Sequence, residues 1–101
     1  MIAPEGRLDP VGGPVLETCC LERIGAGDLR IVLDFSGVDF VSSAGLRGIL
    51  VVMKAIGAAR GRMVLCGLRP MVARVFEHSG FVKIMQIVAD RDAACAAVRL
   101  D

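Results

Sequence analysis

Residues 29–59 read LRIVLDFSGVDFVSSAGLRGILVVMKAIGAA, and the fold of the whole chain follows from this stretch. Leu29 to Phe35 (LRIVLDF) is short and almost unbroken in β-branched and large apolar residues, which predicts a strand covered on both faces. Ser36 to Val41 (SGVDFV) reads as a loop leading into Ser42 and Ser43. From Ala44 to about Ala59 the residues Leu46, Ile49, Leu50, Met53 and Ile56 form one stripe, with Arg47, Lys54 and Arg60 off it. That spacing predicts the strongest helix of the chain, and Gly61 is its stop signal.

Working outward, Arg62 to Cys66 (RMVLC) is a second buried strand, and Gly67, Leu68 and Arg69 turn the chain. Pro70 opens a helix whose inner face is Val72, Val75 and Phe76, and Gly80 stands where a left-handed cap belongs. Phe81 to Val88 mixes strand-like Val82, Ile84, Ile87 and Val88 with Lys83 and Gln86. Asp90 suits the cap of a last helix, Arg91 to about Arg99, with Ala94, Cys95 and Val98 inward. Upstream, Pro14 suits the first position of a helix continuing from Val15 to Ile24, with Leu16, Cys20 and Ile24 inward and Gly25 and Gly27 ending it. Arg7 to Asp9 reads as the end of a strand, after an aperiodic MIAPEG. Alternating helices and strands imply an α/β layer structure with a largely parallel sheet, and residues 1–101 are expected to form one domain.

Composition narrows the function. Lys and Arg number 12 against 11 Asp and Glu, so the basic surplus of a nucleic-acid binder is missing. With 54% apolar and 23% charged residues the chain can bury enough surface to order itself. The longest apolar stretch, Gly48 to Ala59, is too short for a membrane span and carries Lys54. No basic start followed by an apolar run marks a signal peptide, so a soluble, cytoplasmic domain is expected. Cys19, Cys20, Cys66 and Cys95 form no CxxC pair and no zinc-type set, and read as reduced, mostly buried side chains. No metal and no cofactor is expected.

Ser42 and Ser43 stand where a strand-loop unit meets the long helix. One of them reads as the N-cap, and the same place lies at the carboxyl end of a buried strand, where open α/β sheets present their sites. A phosphate there would meet free N–H groups and the positive end of the helix dipole. A hydrolase elbow fails because no glycine stands two before Ser43, and the Lys-Ser/Thr of a P-loop is absent. The one histidine, His78, reads as a charge partner for a helix C-terminus rather than a base. An enzyme is therefore not expected.

Ile31 to Phe35, Val38 to Leu50 (VDFVSSAGLRGIL), Arg62 to Gly67, Arg69 to Ile84 and Gly6-Arg7-Leu8-Asp9 together resemble the STAS family, the sulfate-transporter and anti-sigma-antagonist domains. The resemblance implies the STAS fold, a mixed, mostly parallel sheet with helices packed around it. It also implies an anti-anti-sigma factor, which binds an anti-sigma factor serine kinase of the histidine-kinase-like ATPase type and is switched off by phosphorylation. A PP2C-like phosphatase would reverse that step. The family's acceptor lies two residues before a Gly-Leu pair; here Gly45-Leu46 is that pair, so the acceptor maps to Ser43. Ser42 replaces the family's usual Asp before the acceptor, and Asp9 matches the acidic residue of the Gly-x-Leu-Asp segment.

The partner surface implied by the resemblance comprises Asp9, Val38, Phe40, Ser42, Ser43, Gly45, Leu46 and Arg47. Arg47, one turn on from Ser43, reads either as a phosphate holder or as a solvated helix charge. Phe40 reads equally as an exposed contact or as a core residue. The family's first strand precedes Gly-x-Leu-Asp, yet five residues stand before Gly6, so that strand is expected to be short or missing. The edge left open would suit a homodimer or an added strand. The competing reading is a non-phosphorylated STAS subunit of a lipid- or anion-transport complex.

Overall fold

The computed structural model describes residues 1–99. Its elements in chain order are β1 (Gly6–Leu8), α1 (Gly12–Gly25), β2 (Arg30–Asp34), β3 (Val38–Val41), α2 (Ser43–Ala58), β4 (Arg62–Cys66), α3 (Pro70–Ser79), a 3-10 turn (Phe81–Lys83), β5 (Gln86–Val88) and α4 (Arg91–Arg99). Every strand pair is parallel: β4 lies between β2 and β5, and β1 pairs with β3. The register runs from Arg30 opposite Arg62 to Asp34 opposite Cys66.

The strands β2 and β4 are covered on both faces, and their side chains alternate between two cores. Ile31, Leu33, Met63 and Leu65 join Leu16 and Cys20 of α1, Ile49, Val52 and Ile56 of α2, and Val72 and Phe76 of α3. Val32, Val64 and Cys66 join Ala94, Ala97 and Val98 of α4. The period of two in a strand sends neighbours to opposite faces, which explains why LRIVLDF needs no polar side. The α4 layer, whose buried residues are small, is also held by polar contacts. Arg91 Nε donates to Asp34 Oδ2, and Arg62 Nη1 donates to the Ala97 carbonyl at 2.8 Å.

Four expectations need correction. The SGVDFV segment is not all loop, because Val38–Val41 forms β3 against β1. The first helix begins at Gly12, two residues before Pro14, because Asp9 supplies a cap upstream of it. The segment after Gly80 coils once as a 3-10 turn, and only Gln86–Val88 pairs, with β4. Finally, α2 turns Gly45, Gly48, Ile49, Val52 and Ile56 fully inward, with Leu46 and Met53 at the margin of the core. Two glycines lie on that inner stripe because α1 crosses there: a Cβ on Gly13 would stand 3.1 Å from the Gly45 Cα.

Of the residues before Gly6, Ile2 alone joins a ladder, as a parallel bridge to Leu33. Its N–H donates to the Val32 carbonyl at 2.8 Å, and its carbonyl accepts from Asp34 N–H at 2.9 Å. The expected short first strand is thus a single residue laid on the outer edge of β2, while β1, β3 and β5 each keep an unpaired side.

Candidate functional site

The paired strands β1 and β3 end side by side, Leu8 opposite Val41, and each runs straight into a helix. Those two helix starts form one rim. On the β1 side Asp9 Oδ1 accepts from the N–H groups of Val11 at 3.0 Å and Gly12 at 2.8 Å. These bonds, Gly12 first and Val11 next, hold the Asp9 carboxyl below its ordinary pKa, with Arg7 adding a smaller pull in the same direction. Asp9 thus serves α1 as a cap that satisfies donors left over by the helix.

On the β3 side Ser42 is extended at φ −90°, ψ 175°, and its Oγ accepts from Gly45 N–H at 3.2 Å, which makes it the N-cap of α2. The same hydroxyl donates to the Leu8 carbonyl at 3.1 Å, beside the Ser42 N–H on that oxygen at 2.9 Å. The helix start is therefore tied to β1. Gly45 is required for this approach, because a Cβ there would lie 2.3 Å from the Leu8 carbonyl oxygen.

Ser43 is the first residue of α2 and is exposed, and its hydroxyl makes no hydrogen bond among the described residues. Arg47 is exposed one turn further on, and Leu46 tucks partly into the core. The first-turn N–H groups of α2 give this corner a partial positive charge.

The bulge in β3 decides which apolar residues reach the surface. Gly6 pairs with Val38 and Arg7 with Phe40, so Asp39 is an extra residue on β3 and the strand twists there. Val38 is 0% exposed and Val41 lies in the core beside it, so Val38, expected at the partner surface, is a packing residue instead. Phe40 points outward at 38% exposure. The Arg7 guanidinium carbon stands 4.1 Å from the centre of its ring, and Arg7 Nε lies 3.7 Å from Asp9 Oδ2. Sequence reasoning missed Arg7 as part of this rim. Its side chain meets Phe40 only through the β1/β3 register, for which no local signal exists.

A second polar cluster also escaped notice. Asp34 ends β2 with its side chain 2% exposed, accepts from Ser36 N–H at 3.0 Å and from Arg91, and is held below its ordinary pKa, first by the Ser36 bond and then by Arg91. Both carboxylate oxygens are engaged in holding α4 and the turn after β2. Cys20 is buried and its thiol is pushed up to about 12 by desolvation, while His78 is exposed in the last turn of α3. Among the described residues no group of three or more His, Cys, Asp or Glu could hold a metal. No helix among them is long and apolar enough to cross a membrane.

A parallel α/β core whose rim is built from a Gly-x-Leu-Asp turn and a serine-capped helix defines a class, and the model of the STAS domain matches residues 2–94. The chain belongs to the STAS domain family. Its relatives include BtrV of Bordetella bronchiseptica, provisionally described as an anti-sigma factor antagonist, 39% identical over 95 residues that span 94% of this chain and 82% of that protein. The crystal structure of an anti-sigma factor antagonist from Mycobacterium paratuberculosis superposes with a TM-score of 0.84 at 26% identity, covering 95% of this chain and 81% of that one. The Bacillus cell fate determinant SpoIIAA, solved in its phosphorylated form, shares the fold with a TM-score of 0.70 at 23% identity, over 94% and 86% of the two chains.

Proposed function

We propose that this protein, one STAS domain over residues 1–101, is an anti-sigma factor antagonist that binds a kinase-type anti-sigma factor and is released by phosphorylation of Ser43. The observation that carries the reading is the contrast within the serine pair. Ser42 is engaged on both sides by Leu8 and Gly45, whereas Ser43 is exposed with an unengaged hydroxyl at the helix start. The similarity to BtrV supports the class of partner.

In this reading the protein is a substrate and not an enzyme. The kinase binds ATP and supplies the base; Ser43 Oγ loses its proton to that base and bonds to the γ-phosphorus as ADP departs. The product carries about −1.5 to −2 added charge at neutral pH. The first turn of α2 accommodates that charge, so the fold persists while a surface fitted to a neutral serine is repelled. In this reading Asp9, Phe40, Ser42, Leu46 and Arg47 join Ser43 in the docking face, Gly45 allows the close approach of α2 to β1, and Phe40 with Arg7 over its ring is the apolar anchor. A PP2C-like phosphatase would restore binding, and an ATP-dependent cycle of this kind belongs in the cytoplasm.

The test is a binding assay against the cognate kinase with and without ATP. Wild type is expected to bind and to be released on phosphorylation, Ser43→Ala to bind and stay, and Ser43→Asp to fail to bind. Indifference of binding to both variants would reject the switch and favour a constitutive subunit of a transport complex.

A further inference from the structure

Every polar group of Ser42 has a partner. Its N–H and its hydroxyl proton both go to the Leu8 carbonyl, at 2.9 and 3.1 Å; its hydroxyl lone pair takes Gly45 N–H, at 3.2 Å; its carbonyl takes Leu46 N–H, at 2.9 Å. These bonds join two segments 34 residues apart in the chain, with β1 on one side and the first turn of α2 on the other. Ser43, the next residue, hangs from that pinned backbone with its own hydroxyl free.

We propose that Ser42 is the positioning residue for modification of Ser43 and the reason that only one of the two serines is the acceptor; this rests on the phosphorylation-gated reading above. To accept a phosphoryl group, Ser42 Oγ would have to give up its proton and offer a lone pair. It would then lose both the bond to Leu8 and the cap on Gly45, on a half-buried side chain. Ser43 loses nothing by the same step. An aspartate in place of Ser42, the family's usual choice, could still accept from Gly45 N–H. When ionised it would have no proton for the Leu8 carbonyl and would set two oxygens against each other. The serine therefore exchanges a charge beside the acceptor for a second anchor of the helix start on β1, and that anchor holds Ser43 at a fixed place on the rim.

The experiment uses the full chain, the kinase that binds it and ATP, with site mapping by mass spectrometry and steady-state kinetics. Wild type is expected to take one phosphate, on Ser43, and Ser43→Ala none. Phosphate on Ser42 in the Ser43→Ala protein overturns the assignment. Ser42→Thr, which keeps both hydroxyl bonds, should recover most of the rate that Ser42→Ala loses. Ser42→Ala should lose about fivefold in kcat/KM (about 1 kcal/mol), mostly in kcat, while unfolding stays cooperative. A wild-type rate in Ser42→Ala overturns the proposal. Amide hydrogen exchange without kinase tests the anchor alone: the Gly45 N–H should exchange several-fold faster in Ser42→Ala and be restored in Ser42→Thr, and no change in Ser42→Ala overturns the anchor. Wild type that takes no phosphate on Ser43 rejects the phosphorylation reading and with it this proposal, a result distinct from an altered pattern among the variants.

Discussion

Two glycines in α2 should respond oppositely to the same substitution. Gly45 and Gly57 both lie within the helix, but a Cβ at Gly45 would stand 2.3 Å from the Leu8 carbonyl oxygen and 3.0 Å from the Leu8 Cβ, whereas one at Gly57 would meet nothing within 4 Å. A contact of 2.3 Å to a backbone oxygen must open by about 1 Å to reach van der Waals distance. The oxygen in question also accepts from Ser42 N–H and Ser42 Oγ, so opening that gap lengthens both bonds. Gly45→Ala therefore carries about 1–3 kcal/mol of overpacking and about 1 kcal/mol of weakened hydrogen bonding, against roughly 1 kcal/mol regained in helix propensity. The net expectation is about 2 kcal/mol of destabilisation, a fall in Tm of roughly 10 °C for a domain of this size. Gly57→Ala keeps only the propensity gain and should raise stability by about 0.5–1 kcal/mol. Urea and thermal unfolding followed by far-ultraviolet circular dichroism measure both, with unchanged m-values certifying the comparison. A Gly45→Ala protein as stable as wild type would refute the close approach of α2 to β1, and with it the geometry claimed for the rim.

Other perturbations separate packing from recognition. Phe40→Ala should cost about 1 kcal/mol of stability, through its covered ring surface and the Arg7 contact, and weaken partner binding by about tenfold or more, as loss of a central aromatic contact does; equal binding of the folded variant in a titration would remove Phe40 from the docking face. Val38→Ala, by contrast, should cost about 1.5–3 kcal/mol of stability and leave the affinity of the folded fraction unaltered. Asp34 and Asp9 both have lowered carboxyl pKa values, so their contributions are complete above the ordinary value of 3.8 and vanish as pH falls through the lower folded-state values. Stability should therefore decline in acid below about pH 4, and Asp34→Asn should flatten that decline; an unchanged pH profile would contradict the role given to Asp34. Native protein treated with a thiol reagent at pH 8 should label the half-buried Cys19 and Cys95 and spare Cys20, whose thiol burial pushes up to about 12; rapid labelling of Cys20 would contradict its place on the inner face of α1.

The strand β4 and the helix α3 were legible to the residue, and β2 and α2 to within a residue or two, since each combines a strong period with local punctuation. Pro70 opens α3 and Gly80, at φ 81°, closes it, both for reasons contained in a few adjacent residues. The start of α1 was not legible in this way, because its cap is Asp9, and Pro14 two residues inside the helix offered a stronger local sign. Likewise SGVDFV shows no alternation: its burial runs buried, exposed, exposed, buried, the signature of a bulge that only pairing with β1 reveals.

Local sequence was enough for the order and type of the main elements, the parallel α/β character, and the place of Ser42 and Ser43 at the mouth of the long helix. All of these depend on interactions among residues close in the chain or on the burial pattern of single segments. Tertiary structure alone decided that β1 lies on β3 with Asp39 bulged out, that Phe40 turns to solvent under Arg7 while Val38 turns inward, and that Ser42 is the serine anchored to Leu8. Each of these joins segments more than 30 residues apart. The register between such segments is chosen by what both can bury and by whether glycine leaves room for their approach, and neither is written in either segment alone.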